Sequence, residues 1–140
     1  MAFDIKKDDE PDLRSELECF PEIDPGIEVV GDRVLVQLRR EKTTSKGGII
    51  LVDETKQTLR FNETVAKVVQ IGPLAYKNLD DLQPWIEGPW CKVGDLVRTI
   101  KYGGDRFVVN PDDGGAPVVF ITLQAREIIS KIKSFEYAQK

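Results

Sequence analysis

Residues 33–40 read RVLVQLRR. Val34, Val36 and Leu38 fall on one face at period two, and the aliphatic and β-branched residues are those of a half-buried strand. The same signature recurs along the chain. Residues 64–71, TVAKVVQI, form a second strand that stops at Gly72-Pro73. Residues 95–102, DLVRTIKY, alternate again, with Leu96, Ile100 and Tyr102 opposite Val97 and Thr99. Gly103-Gly104 turns the chain into 105–109, DRFVV, and NPDDGG at 110–115 is a further turn. PVVFITL at 117–123 is the most continuous apolar run and reads as a buried strand. In QAREIISKIK, residues 124–133, Ile128, Ile129 and Ile132 fit a helical turn or a final strand equally well. Short strands with Gly and Pro turns and no long amphipathic helix predict an all-β barrel or sandwich.

The bulk composition narrows the function. The 140 residues suit one domain with extensions. A net charge of -4 argues against a nucleic-acid binder. No run is long and apolar enough to span a membrane, and MAFDIKKDDEPD at the start lacks the apolar core of a signal peptide, so a cytoplasmic protein is expected. Cys19 and Cys91 form no motif and are expected to stay reduced thiols. The chain has no histidine, which removes the commonest general base and the commonest transition-metal ligand. The 24 acidic residues show no catalytic spacing, so neither catalytic residues nor a metal site are expected.

Residues 1–28 stand apart. Ten acidic residues face three basic ones, punctuated by Pro11, Pro21 and Pro25. The stretch reads as an acidic extension, partly disordered, with a short helix over 13–20, and as a solvated tail rather than a binding arm. Two long loops interrupt the strands, at about 41–63 and 73–92, and loops of that length in a small domain tend to be functional or disordered.

The first loop carries SKGGIIL at 45–51 between solvated flanks. Gly47 and Gly48 supply a tight turn, and Ile49, Ile50 and Leu51 then present a compact apolar knob. Periodicity alone does not separate this knob from one more core strand with Gly-Gly as its hairpin turn. If it docks on a partner, burying three aliphatic side chains contributes about 1.5–3 kcal/mol each. Ordering roughly six backbone residues costs about 1–2 kcal/mol each. The terms nearly cancel, so a single loop binds weakly and is useful only when several copies act together. A mobile apolar loop thus points to a symmetric oligomer facing a symmetric partner.

The series GDRVLVQ (31–37), SKGGIIL (45–51), VAKVVQIG (65–72), KVGDLVRTIKYGG (92–104) and VVFITLQAREIISKI (118–132) resembles the GroES-type co-chaperonins, or chaperonin-10 family, in order and spacing over about residues 29–133. The resemblance implies a GroES-like β-barrel that assembles into a sevenfold, dome-shaped homo-oligomer. It implies a GroEL-type chaperonin as partner, capped so as to enclose a substrate protein for ATP-dependent folding. ATP is bound by the chaperonin, and this chain carries no cofactor. By position, Ile49, Ile50 and Leu51 are the docking residues, with Gly47 and Gly48 shaping the turn. Neighbouring subunits of the family pair an N-terminal with a C-terminal strand. Here those are about 27–33 and 127–132, which brings Ile27, Val29, Ile128, Ile129 and Ile132 to the subunit interface.

The chain departs from a minimal member in three places. They are the acidic extension, the residues after Lys133, SFEYAQK, and the roof-type loop 73–92 with Tyr76, Trp85 and Trp90. Those aromatics read as local packing over the barrel end. Such additions suit a bacteriophage-encoded member acting in its host's cytoplasm. Two other classes remain for comparison. Medium-chain alcohol dehydrogenases contain a GroES-like domain, but the missing histidines, the missing G-x-G-x-x-G and the short chain oppose that reading. A structural or virion-assembly barrel that lost chaperonin binding has no need to keep an exposed apolar triplet.

Overall fold

The computed structural model describes residues 15–40, 63–101, 103–112 and 115–138. The described residues form six strands: β1 (Arg33–Leu38), β2 (Val65–Ile71), β3 (Leu96–Thr99), β4 (Asp105–Val109), β5 (Val118–Gln124) and β6 (Ile128–Lys131). They make one antiparallel sheet in the order β4-β5-β1-β2-β3-β6, so the fold is all-β. Two one-turn helices flank it, α1 (Glu16–Cys19) and α2 (Phe135–Ala138). The ambiguous stretch 124–133 uses both of its readings in succession. Ala125–Glu127 is a 3-10 turn, stabilised where Gln124 N–H donates to Glu127 Oε1 at 2.8 Å, and β6 follows.

The sheet curls around a single inner core. Val34, Val36 and Leu38 meet Ala66 and Val68 of β2, Val97 of β3, Val119, Ile121 and Leu123 of β5 and Ile128 of β6 in one cluster. The β1–β5 register places Val34 opposite Leu123 and Val36 opposite Ile121, so the inward sets coincide. Two bulges adjust the rest. The pairing passes from Leu35↔Gln70 to Val36↔Val68, which leaves Val69 as the extra residue and lets it join the outer face. On the edge strand, Arg98↔Ser130 is followed by Thr99↔Ile128. Ile128 is therefore core while Ile129, the extra residue, is exposed.

β1 is not half-buried. Every residue from Val34 to Leu38 is buried. The outer face carries its own cluster, in which Leu35, Val118 and Phe120 are joined by Val29, Ile23, Phe107 and Val109, with Phe107 and Phe120 stacked 5.5 Å apart. The cover comes from the N-terminal extension. Gln37 Nε2 donates to Pro21 O at 2.9 Å, and Gln70 takes Val29 N–H on Oε1 while donating from Nε2 to Ile27 O, each at 2.9 Å. Further upstream, Cys19 and Phe20 are buried against Val65, Leu96 and Ala138. Residues 15–29 thus include buried anchors, where the acidic composition predicts a solvated tail.

Gly72 shows how tightly β2 leaves the sheet. Its N–H donates to Arg33 O at 2.8 Å, and a Cβ at this position would collide with the backbone oxygens of Gly31 and Arg33. Neither obstacle can rotate away. Gly72→Ala is expected to cost about 2 kcal/mol, read as a lower urea midpoint at unchanged slope.

Candidate functional site

The segment with Gly47, Gly48, Ile49, Ile50 and Leu51 lies outside the described residues, but both of its roots are described. The segment leaves from the end of β1 and returns at the start of β2, and these strands pair antiparallel through Leu38↔Ala66. The ladder continues one step, with Arg39 N–H donating to Val65 O at 2.9 Å.

Arg39 and Glu63 then close the base. Arg39 Nε and Nη2 both lie 3.0 Å from Glu63 Oε2. Glu63 Oε1 accepts from the backbone N–H of Thr64 at 3.0 Å and of Val65 at 2.9 Å. One carboxylate thus gathers four N–H donors from both sides of the opening, and charge-assisted bonds of this kind are the stronger class. Cys19 and Ala138, from the two flanking helices, reach the same place. Arg40 N–H donates to Cys19 O at 2.8 Å, and Arg39 Nη1 donates to Ala138 O. Arg40 Nε donates to Ala116 O at 3.0 Å.

The predicted interface residues fall in three groups. Val29 and Ile128 are buried within the chain, Ile27 and Ile129 are exposed, and Ile132 is partly buried against Cys19 and Phe20. No strand forms over 27–32 in the single chain, since β1 begins at Arg33. β6 bonds β3 on one side and is the last strand of the sheet. Beside it lies a cleft of about 400 Å³ lined by Glu87, Pro89, Trp90, Ile128, Ile129 and Lys131. Trp90 Nε1 is buried with no hydrogen-bond partner among the described residues.

The roof-type loop packs on the core. Tyr76, Trp85 and Trp90 form a triangle with ring centroids 5.1–5.6 Å apart. Tyr76, at φ 61, is buried, and its hydroxyl lies 3.4 Å from Cys91 Sγ. Burial pushes the Tyr76 phenol well above its ordinary range, and the contact with Cys91 adds to the shift. Burial also raises the Cys91 thiol, partly opposed by the Tyr76 hydrogen bond. Both acids hold their protons more tightly folded than unfolded. The stability this gives is complete below the ordinary thiol range, about 8.5, and is lost as pH rises beyond it. Urea unfolding at pH 7 and pH 10 should show the alkaline loss, and Cys91→Ala should reduce it.

Among the described residues, no group of three acids or cysteines is placed to hold a metal ion, and no helix is long and apolar enough to cross a membrane. The family model for the chaperonin 10 Kd subunit matches residues 26–132, from the cover segment through β6. The chain belongs to that family. Its curated relatives include three proteins named co-chaperonin GroES. That of Chlamydia pneumoniae is 31% identical over 109 residues, covering 76% of this chain and 91% of the relative. The Corynebacterium jeikeium protein is 30% identical over 107 residues, covering 76% and 94%. The Lactobacillus acidophilus protein is 35% identical over 78 residues, covering 56% and 74%. The family match bears out the GroES-like all-β fold that the resemblance implies, and the family is not a catalytic one.

Reasoning from the sequence missed the base of the loop. Arg39 reads as the charged end of a strand and Glu63 as one acid among many. The available signal was Phe20, an aromatic isolated among acids, together with FEYA (Phe135–Ala138) beyond the family match.

Proposed function

We propose that this chain is a co-chaperonin that caps a GroEL-type chaperonin ring by docking Ile49, Ile50 and Leu51 into an apolar groove of each chaperonin subunit. The observation that carries this reading is the family match over residues 26–132, within which SKGGIIL spans the gap between two paired strands. Gly47 and Gly48 shape the turn that presents the triplet. The weak energetics of one loop call for several loops on one ring, and a heptamer matches the chaperonin's symmetry. The chain works in the cytoplasm and acts by binding. The chaperonin binds and hydrolyses ATP, and the enclosed substrate protein folds in the chamber.

For the ring contact, residues near 27–33 of one subunit lie along β6 of the next. Three observations support this. β6 ends the sheet, the exposed Ile27 and Ile129 are available to a neighbour, and the adjoining cleft holds Trp90, whose Nε1 has no hydrogen-bond partner among the described residues. Val29 and Ile128 support the same contact from behind, and Ile132 closes its lower end. An added strand would remove an open edge.

The test is the ATPase rate of a bacterial chaperonin titrated with the full chain. Saturable inhibition at stoichiometric ratios is expected. An unaltered rate, or a chain that sediments as a stable monomer at micromolar concentration, contradicts the reading.

A further inference from the structure

The two terminal segments meet where the docking segment is rooted. Cys19 and Phe20 from the N-terminal side, and Ala138 and Phe135 from the C-terminal side, pack together on Val65 and Leu96. Cys19 is fully buried, and Phe20 and Ala138 are each 1% exposed. Each terminal segment also bonds a root residue directly, Cys19 O taking the Arg40 amide and Ala138 O taking the Arg39 guanidinium. Glu16 lies 3.5 Å from Lys67 on the adjoining strand. Glu63 completes the arrangement by tying Arg39 to the first amides of the returning chain. The terminal partners, Glu16, Cys19, Phe20, Phe135 and Ala138, lie outside residues 26–132, the span shared with the family, and the root residues that they hold lie inside it.

We propose that these segments form a collar that fixes both roots of residues 41–62, and that the collar sets the strength of docking on the chaperonin. Arg39 is its positioning residue, since its guanidinium reaches both Glu63 and the C-terminal segment. The physical reason is preorganisation. A loop whose ends are already held loses less freedom on binding, so more of its contact energy appears as affinity. The gain is multiplied when several loops dock at once. The proposal rests on the docking role of Ile49, Ile50 and Leu51, and its test separates the two.

The experiment uses the full chain with a bacterial chaperonin and nucleotide, comparing Glu63→Gln, Phe135→Ala, Arg39→Lys and Ile50→Asp. Hydrogen exchange is followed at the amides of Arg40 and Val65 at the root and of Ile121 in the core. The collar variants should keep the oligomer and the Ile121 protection, speed exchange at Arg40 and Val65, and weaken apparent affinity by about tenfold or more. Arg39→Lys should fall between wild type and Glu63→Gln. Faster root exchange with affinity within about twofold of wild type overturns the collar. So does loss of the oligomer in all three collar variants, which would make the cluster a subunit support. Ile50→Asp reports on docking alone. If it caps normally, the docking role fails. If it does not cap while the collar variants bind as wild type, only the collar fails.

Discussion

Ile50→Asp is expected to abolish capping of the chaperonin while leaving the oligomer and its thermal stability unchanged. The expectation follows from where the energy resides. Three aliphatic side chains supply about 5–9 kcal/mol of gross burial per loop, against an ordering cost of similar size. Placing a carboxylate in the middle of the triplet removes one contribution and puts an unpaired charge in an apolar groove, which costs several kcal/mol more. A loop that barely binds then does not bind, and several copies multiply the loss. Ultracentrifugation and a melting curve check the intact oligomer, and chaperonin ATPase inhibition checks the docking. If the substitution instead unfolds the chain, Ile50 belongs to the core and the triplet is a strand.

Phe20→Ala is expected to destabilise the chain by about 3 kcal/mol. Phe20 is 1% exposed, in a cluster with Cys19, Val65, Leu96 and Ala138. Truncation leaves a cavity between the terminal segments and β2, and the surrounding strands cannot close it without breaking their ladders. Against a typical total of about 5–15 kcal/mol, that is a large fraction. Urea unfolding at fixed protein concentration measures it, since association would otherwise shift the midpoint. A change below about 0.5 kcal/mol, the range of ordinary surface substitutions, would mean that Phe20 does not bear on the fold.

The strands were legible because their pattern is local. Val34, Val36 and Leu38 alternate, Gly72-Pro73 directly follows β2, and Gly103-Gly104 directly precedes β4, although β3 stops at Thr99, short of the expected 102. The positive φ of both Gly103 and Gly104 accounts for that second pair. Tyr76, Trp85 and Trp90 were legible as local packing because three aromatics in one loop find one another over short separations. The outer cover of β1 was not legible. Leu35 and Gln37 occupy the positions that alternation assigns to solvent, and they are covered by residues distant in sequence: Pro21, Ile23 and Val29 on one side, Phe107 and Val109 on another. Cys19 and Phe20 have no periodic neighbours, so an acidic composition outweighed two buried side chains. For the candidate site the balance is reversed. The proposed docking residues Gly47 to Leu51 come from the sequence, through the resemblance to the chaperonin-10 family, and the structure adds the frame at the roots of their segment: Arg39, Glu63 and the two terminal segments.

The central claim is that this chain closes a chaperonin ring. The most direct test is native mass measurement of a bacterial chaperonin mixed with the full chain, with and without nucleotide. The account predicts a discrete complex, formed in the presence of nucleotide, whose mass equals the chaperonin plus one complete ring of this chain. A spectrum showing only free chaperonin and free chain under both conditions would contradict it.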